Sequence, residues 1–157
     1  ASDVYKRQEY THEPTTEQRE LAKKLASWGA DVIIGTHPHV IQPVEYIENS
    51  DGRRTLVAYS LGNFISAQNR GPRMLGGMIN FDIVKNNNTG KVAIENVAFS
   101  GVVTHYGYNA SNVRIYPLAD YTEELASKHG VKSKTPDFSL QYLNNIMNEV
   151  IDKQFLK

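Results

Sequence analysis

The sequence predicts an α/β fold with a mixed sheet and flanking helices. A capped amphipathic helix runs directly into an apolar β segment without alternation, and two strand pairs follow, each joined by an Asn- and Gly-rich turn. Thr15-Thr16-Glu17-Gln18, after Pro14, has the form of a capping box in which Thr15 is the N-cap and Gln18 reaches back to it. Leu21, Leu25 and Trp28 recur at i, i+4 and i+7 of a helix over 15–28, with Ala22 and Ala26 beside them and Gly29 as the stop. That spacing places Trp28 in the core. Val32-Ile33-Ile34 then reads as a strand covered on both faces by helices.

Beyond it, 41–46 and 55–60 are strand-like around the turn Asn49-Ser50-Asp51-Gly52-Arg53-Arg54 and form a first hairpin. Segment 68–76 holds Arg70 and Arg73 among glycine and proline, lacks periodicity, and reads as a loop whose guanidinium groups suit an anion or solvent. Segments 77–85 and 91–99 form a second hairpin around Asn86-Asn87-Asn88-Thr89-Gly90, the edge of a sandwich-like sheet. An aromatic loop over 102–112 carries His105, Tyr106 and Tyr108. A short helix over 121–129 closes at Gly130, and Thr135-Pro136 caps and starts a last helix. Leu140, Leu143, Ile146, Met147, Val150 and Ile151 make one apolar stripe along that helix, which is expected to pack into the core.

Composition narrows the function classes. The 157 residues suffice for one domain, and 40% hydrophobic with 22% charged content is ordinary for a globular protein. Lys plus Arg and Asp plus Glu both total 17, so no basic excess draws the chain to nucleic acid or to anionic lipid. With no cysteine, any metal would have to take His, carboxylate or amide oxygen ligands. No apolar run approaches the roughly 18 residues that cross a bilayer, and no targeting segment opens the chain.

The chemistry concentrates at Gly35-Thr36-His37-Pro38-His39. Two imidazoles stand at the carboxyl end of a strand, where open α/β sheets place their ligands. In extended backbone residues two apart share a side, so His37 and His39 could converge on one metal ion, although a complete site takes three or more protein ligands. Two polar residues packing beside Pro38 is the plainer alternative. Asn63, after Gly62, is either a further lining residue or a turn residue bonded to its own backbone. Glu45 either orients a histidine or is a solvated strand position.

The run from Gly29 through Gly35-Thr36-His37-Pro38-His39-Val40 to Glu45-Tyr46, followed by Tyr59-Ser60-Leu61-Gly62-Asn63-Phe64, resembles the bacterial capsule-synthesis family CapA, associated with poly-gamma-glutamate. That family is similar to calcineurin-like metallophosphoesterases, whose last metal motif is Gly-His-x-His; here Thr36 is inserted after the glycine. The resemblance implies that the chain is the C-terminal part of a metallophosphoesterase-like α/β sandwich. It makes His37 and His39 the metal-ligand candidates, for Mn, Zn or Fe in the longer parent, with Asn63, Glu9 and Glu45 lining the site.

It further implies a hydrolase-like parent at the bacterial cell envelope, membrane-anchored, working on an anionic capsule polymer or with its synthesis machinery. A non-catalytic accessory that binds polymer or partner is the alternative. Of the family's His-Trp-Gly-x-Glu-Tyr motif only Glu9-Tyr10 stands here, with Tyr5-Lys6-Arg7-Gln8 in place of the rest, and the earlier Asp, Asn and His motifs have no room. The chain alone is therefore expected to be inactive. The organisation expected is a non-native or assembly-derived end over 1–8, the family domain over 9–118 and a helical tail over 119–157.

Overall fold

A computed structural model of the chain describes residues 10–156. The expected non-native end over 1–8 and the candidate Glu9 lie outside them. Helix α1 (Thr16–Ser27) starts at the expected capping box: Gln18 N–H donates to Thr15 Oγ1 at 3.2 Å, and Thr15 N–H to Gln18 Oε1 at 2.9 Å. Gly29 then takes φ +105°, a left-handed turn that ends the helix.

A first sheet joins β1 (Val32–Ile34), β2 (Val44–Glu48) and β3 (Arg54–Ala58) in the order β1-β3-β2. It is mixed, with β1 parallel and β2 antiparallel to β3. The strand covered on both faces is β3 rather than β1: residues 55–60 are all buried, whereas β1 lies at the sheet edge with Ile34 42% exposed. One parallel neighbour covers only one edge of β1, which its apolar composition alone does not reveal.

Period-2 alternation splits this sheet between two cores. Val57 and Tyr59 face α1 and pack with Ala22, while Val44, Leu56 and Ala58 face the main core. Helix α1 meets the sheet through its alanines, so the expected placement of Trp28 is overturned. Trp28 is 70% exposed beneath the Lys24 ammonium, 5.0 Å from its ring, and Leu21 is 56% exposed. Two small side chains let the helix axis approach the strands closely, which turns the larger ones outward.

A second, antiparallel sheet has the order β4-β5-β6, formed by β4 (Leu75–Lys85), β5 (Val92–His105) and β6 (Arg114–Pro117). The hairpin at 86–90 forms as expected, with Gly90 N–H donating to Asn86 O. Residues 102–105, read as loop, extend β5, and β6 pairs with them. Helices α2 (Glu123–Ser127) and α3 (Leu140–Val150) complete the molecule. Ser139, not Thr135, caps α3, because Thr135 Oγ1 is occupied by Gly71 N–H at 2.9 Å. The α3 stripe enters the core as expected: Leu143, Met147 and Ile151 pack with Phe99, Phe138 and Phe155. Among the described residues no helix is long and apolar enough to cross a membrane.

Residues 119–156 also close a buried aromatic cluster over the end of β5. His129 Nε2–H donates to Thr104 O at 2.9 Å, and its Nδ1 accepts from Val131 N–H at 2.9 Å. Its ring meets those of His105, Tyr106 and Phe138 at 4.6–4.8 Å. Burial lowers its pKa from 6.5 to about 4, against the Thr104 hydrogen bond, which raises it, and with a smaller lowering from His105.

Two predictions follow from this packing. Leu143→Ala should cost about 2–5 kcal/mol in urea unfolding, since it empties a fully buried site, whereas Trp28→Ala should change stability by about 0.5 kcal/mol or less. Between the unfolded imidazole pKa of 6.5 and the folded value of about 4, the unfolded chain binds a proton that folded His129 refuses. Stability should be complete above that window and fall as pH drops through it, read as a declining Tm. His129→Leu should flatten the decline while lowering Tm at neutral pH, because Thr104 O and Val131 N–H lose their partner.

Candidate functional site

The loop leaving β1 is held by backbone contact before any side chain acts. Gly35 N–H donates to Ala58 O at 2.7 Å, and a Cβ at Gly35 would lie 2.2 Å from Tyr59 O, so only glycine passes here. His37 follows at φ +101°, outside the extended region and immediately before Pro38. The extended geometry that would set the rings of His37 and His39 on one side is therefore absent at His37, which is itself exposed. Pro38 is buried, and its carbonyl accepts from Ser60 Oγ at 3.1 Å. Ser60 Oγ in turn accepts from Gly62 N–H at 3.0 Å, tying the histidine loop to the chain that enters Asn63.

His39 and Asn63 are brought together. His39 Nδ1 lies 2.9 Å from Asn63 Oδ1, and Asn63 Nδ2 donates to His39 O and to Arg73 O, each at 3.2 Å. Both amide hydrogens and one oxygen lone pair of Asn63 are thus used within the protein. The Tyr10 ring stacks on His39 with centroids 6.0 Å apart at 22°, and the Arg73 guanidinium lies 3.5 Å from the Tyr10 centroid. Arg73 Nη1 also donates to Gln68 Oε1 at 2.6 Å. Arginine, tyrosine and histidine therefore form one stack beside the loop, an arrangement in which guanidinium and ring attract.

Tyr10 is held there from below. The buried Gln42 side chain donates from Nε2 to Thr11 O at 3.0 Å and Glu13 O at 3.3 Å, and accepts from Gln18 Nε2 at 3.2 Å. His12 Nδ1–H donates to Ile41 O at 2.8 Å. Sequence reasoning missed Gln42, Tyr10 and Arg73 as parts of the His39 surroundings. Gln42 carried a signal, a long polar side chain set among Val40, Ile41, Pro43 and Val44, which needs internal partners if buried.

Glu45 is engaged elsewhere. Tyr59 Oη donates to it at 2.7 Å and Arg19 Nη1 reaches it at 3.4 Å, on the α1 side of the sheet. Burial first, and then the Glu45 carboxylate, push the Tyr59 hydroxyl well above its ordinary range, so it stays a donor. Among the described residues no three His, Asp or Glu side chains are grouped to hold a metal ion. His37 and His39 supply at most two imidazoles, and the described residues alone do not fit a closed metal site.

Comparison with known proteins gives the class of the segment that builds this loop. Residues 6–68 match the family described as bacterial capsule synthesis protein PGA_cap. It is 36% identical over 87 residues to the PGA biosynthesis protein CapA of Bacillus subtilis (strain 168), covering 55% of this chain and 21% of that protein. It is 39% identical over 61 residues to the capsule biosynthesis protein CapA of Bacillus anthracis, covering 39% and 14%. The chain thus spans about a fifth or less of the length of these relatives. No solved structure matches it.

Backbone packing around Asn63 predicts how the site fails. A Cβ at Gly76 would lie 2.0 Å from Asn63 O, so Gly76→Ala must displace that backbone. The expected result is a loss of about 1–3 kcal/mol, together with a shifted His39 imidazole resonance in NMR spectra. An unshifted resonance would show that His39 is not held through Asn63.

Proposed function

We propose that this chain is part of a bacterial capsule-synthesis protein working in poly-gamma-glutamate assembly or export at the cell envelope. In this reading the His37–Pro38–His39 loop forms one wall of the working site. The observation that carries it is the His39–Asn63 pair at 2.9 Å, built at the end of the sheet inside the segment matched to the family. The names of the two Bacillus relatives support the capsule assignment. A metallophosphoesterase-like parent is supported by the Gly-x-His-x-His run and by the mixed sheet order β1-β3-β2. There His37 and His39 would join ligands from outside residues 10–156 around Mn, Zn or Fe, the metal supplying Lewis acidity. This chain's own residues would position His39 and present the Arg73 cation beside it.

One observation favours a second reading, a non-catalytic polymer-binding accessory. The Arg73–Tyr10–His39 stack is a cationic, aromatic surface that can hold carboxylates without cleaving anything.

The test is made in the longer parent, in a capsule-forming bacterium lacking its own copy. His39→Ala should reduce polymer at least about tenfold, the effect expected when a group that supports a metal or its ligands is lost. Polymer at the wild-type level would remove the site from the function. Calorimetric titration with Mn or Zn at neutral pH should show weak or no binding by this chain alone and far tighter binding by the parent, abolished in a His37→Ala, His39→Ala variant. A parent that needs His39 for polymer yet binds no metal would leave the accessory reading.

A further inference from the structure

We infer that Asn63 is a positioning residue that fixes the tautomer of His39, placing the hydrogen on Nδ1 and leaving Nε2 as the nitrogen that presents a lone pair. An asparagine amide can in principle face a histidine with either end, and an imidazole nitrogen can donate or accept. Here the surroundings remove that freedom. Asn63 Nδ2 faces two backbone carbonyls, His39 O and Arg73 O, each at 3.2 Å. Rotating the amide by half a turn would set Oδ1 against both carbonyl oxygens and lose two hydrogen bonds. Oδ1 must therefore be the end that faces His39 Nδ1 at 2.9 Å. An amide oxygen only accepts, so Nδ1 must carry the hydrogen.

The positioning is built from both partners' backbones. One Nδ2 bond returns to the carbonyl of His39 itself, so Asn63 grips the main chain and the side chain of the same residue. The other reaches Arg73, whose guanidinium covers the Tyr10 ring that stacks on the His39 imidazole. Ring orientation and ring tautomer are thus set by one amide, with both of its hydrogens committed. Neutral imidazole free in water favours the opposite form, with hydrogen on Nε2, so the arrangement reverses the default. A metal ion or an acidic proton arriving at this loop would meet Nε2.

This deepens the site of the proposed function, and its test involves no metal and no turnover. The chain is labelled with ¹⁵N-histidine, and long-range proton–nitrogen spectra are recorded at about pH 8, above the ordinary imidazole range. The five histidines are assigned by single substitutions. His39 should show a protonated Nδ1 and a bare Nε2 as its major neutral form, the reverse of free imidazole. Asn63→Leu, which removes the acceptor, should return His39 to the Nε2–H form.

A wild-type His39 protonated at Nε2 would overturn the inference, as would an Asn63→Leu spectrum identical to wild type. If Asn63→Leu does not fold, the wild-type spectrum decides: Nδ1–H sustains the assignment, and Nε2–H defeats it. Failure of the metal titration in the parent would leave these spectra unchanged, so the two readings fail separately.

Discussion

Burying six consecutive residues, four of β3 and the two that follow it, forces every polar group on them to find a partner inside the protein, and much of the first sheet follows from that demand at residues 55–60. At one end Thr55 Oγ1 donates to Ala30 O at 2.7 Å and accepts from Asn49 Nδ2 at 3.0 Å, which fixes the exit of α1 and the tip of the β2–β3 hairpin together. At the other end Ser60 Oγ bonds Pro38 O and Gly62 N–H, which fixes the histidine loop against the chain carrying Asn63. The hydroxyls of Thr55, near the start of β3, and Ser60, two residues past its end, locate the loops, and the apolar residues between them hold the two layers. Exchanging either hydroxyl for a methyl would remove a hydrogen bond at both of its contacts, so the cost would fall on loop geometry as well as on stability.

What could be read from the sequence was what local chemistry decides. The capping box at Thr15, the hairpins around 49–54 and 86–90, and the α3 stripe all depend on neighbours within a few residues, and all are present. The readings that failed needed tertiary knowledge. Trp28 has the right helical spacing for a core residue, but which face a helix buries depends on what it meets, and α1 meets the sheet through Ala22, with Ala26 also buried. Thr135-Pro136 has the form of a helix start, yet the threonine hydroxyl is drawn off by Gly71 from 64 residues away. At the site, the strand ending at Gly62-Asn63 and the resemblance suggested Asn63 at the mouth of the histidine loop, whereas its pairing with His39 and the partners of Glu45 depend on packing that strand alternation alone does not choose.

The loop that carries Asn63 and Arg73 is braced largely from outside the family-matched region of 6–68. Thr104 Oγ1 donates to Phe64 O at 3.3 Å, Tyr106 Oη to Gln68 O at 3.0 Å, and Gly71 N–H to Thr135 Oγ1. Thr104 and Tyr106 are also the residues that His129 touches, through a hydrogen bond and a ring contact. The aromatic cluster that anchors residues 119–156 therefore shares side chains with the support of the candidate site. Loosening that cluster would reach His39 through Gln68 and Arg73 without any contact between His129 and His39.

Rigidity at His39 has a definite physical source. A histidine on a surface loop would ordinarily sample several rotamers and both neutral tautomers, and any partner would have to order it on binding. Here the ring has Tyr10 stacked against it, Tyr10 has Arg73 stacked on it, and Asn63 is bonded to His39 and to the Arg73 carbonyl. The ordering is completed by folding, which buries Gln42 to hold the segment bearing Tyr10 and packs Gly76 against Asn63. His37, two residues earlier, has a left-handed backbone and no comparable enclosure. The two histidines are therefore not equivalent: His39 is preorganised to present one nitrogen, while His37 would have to be ordered by whatever it meets.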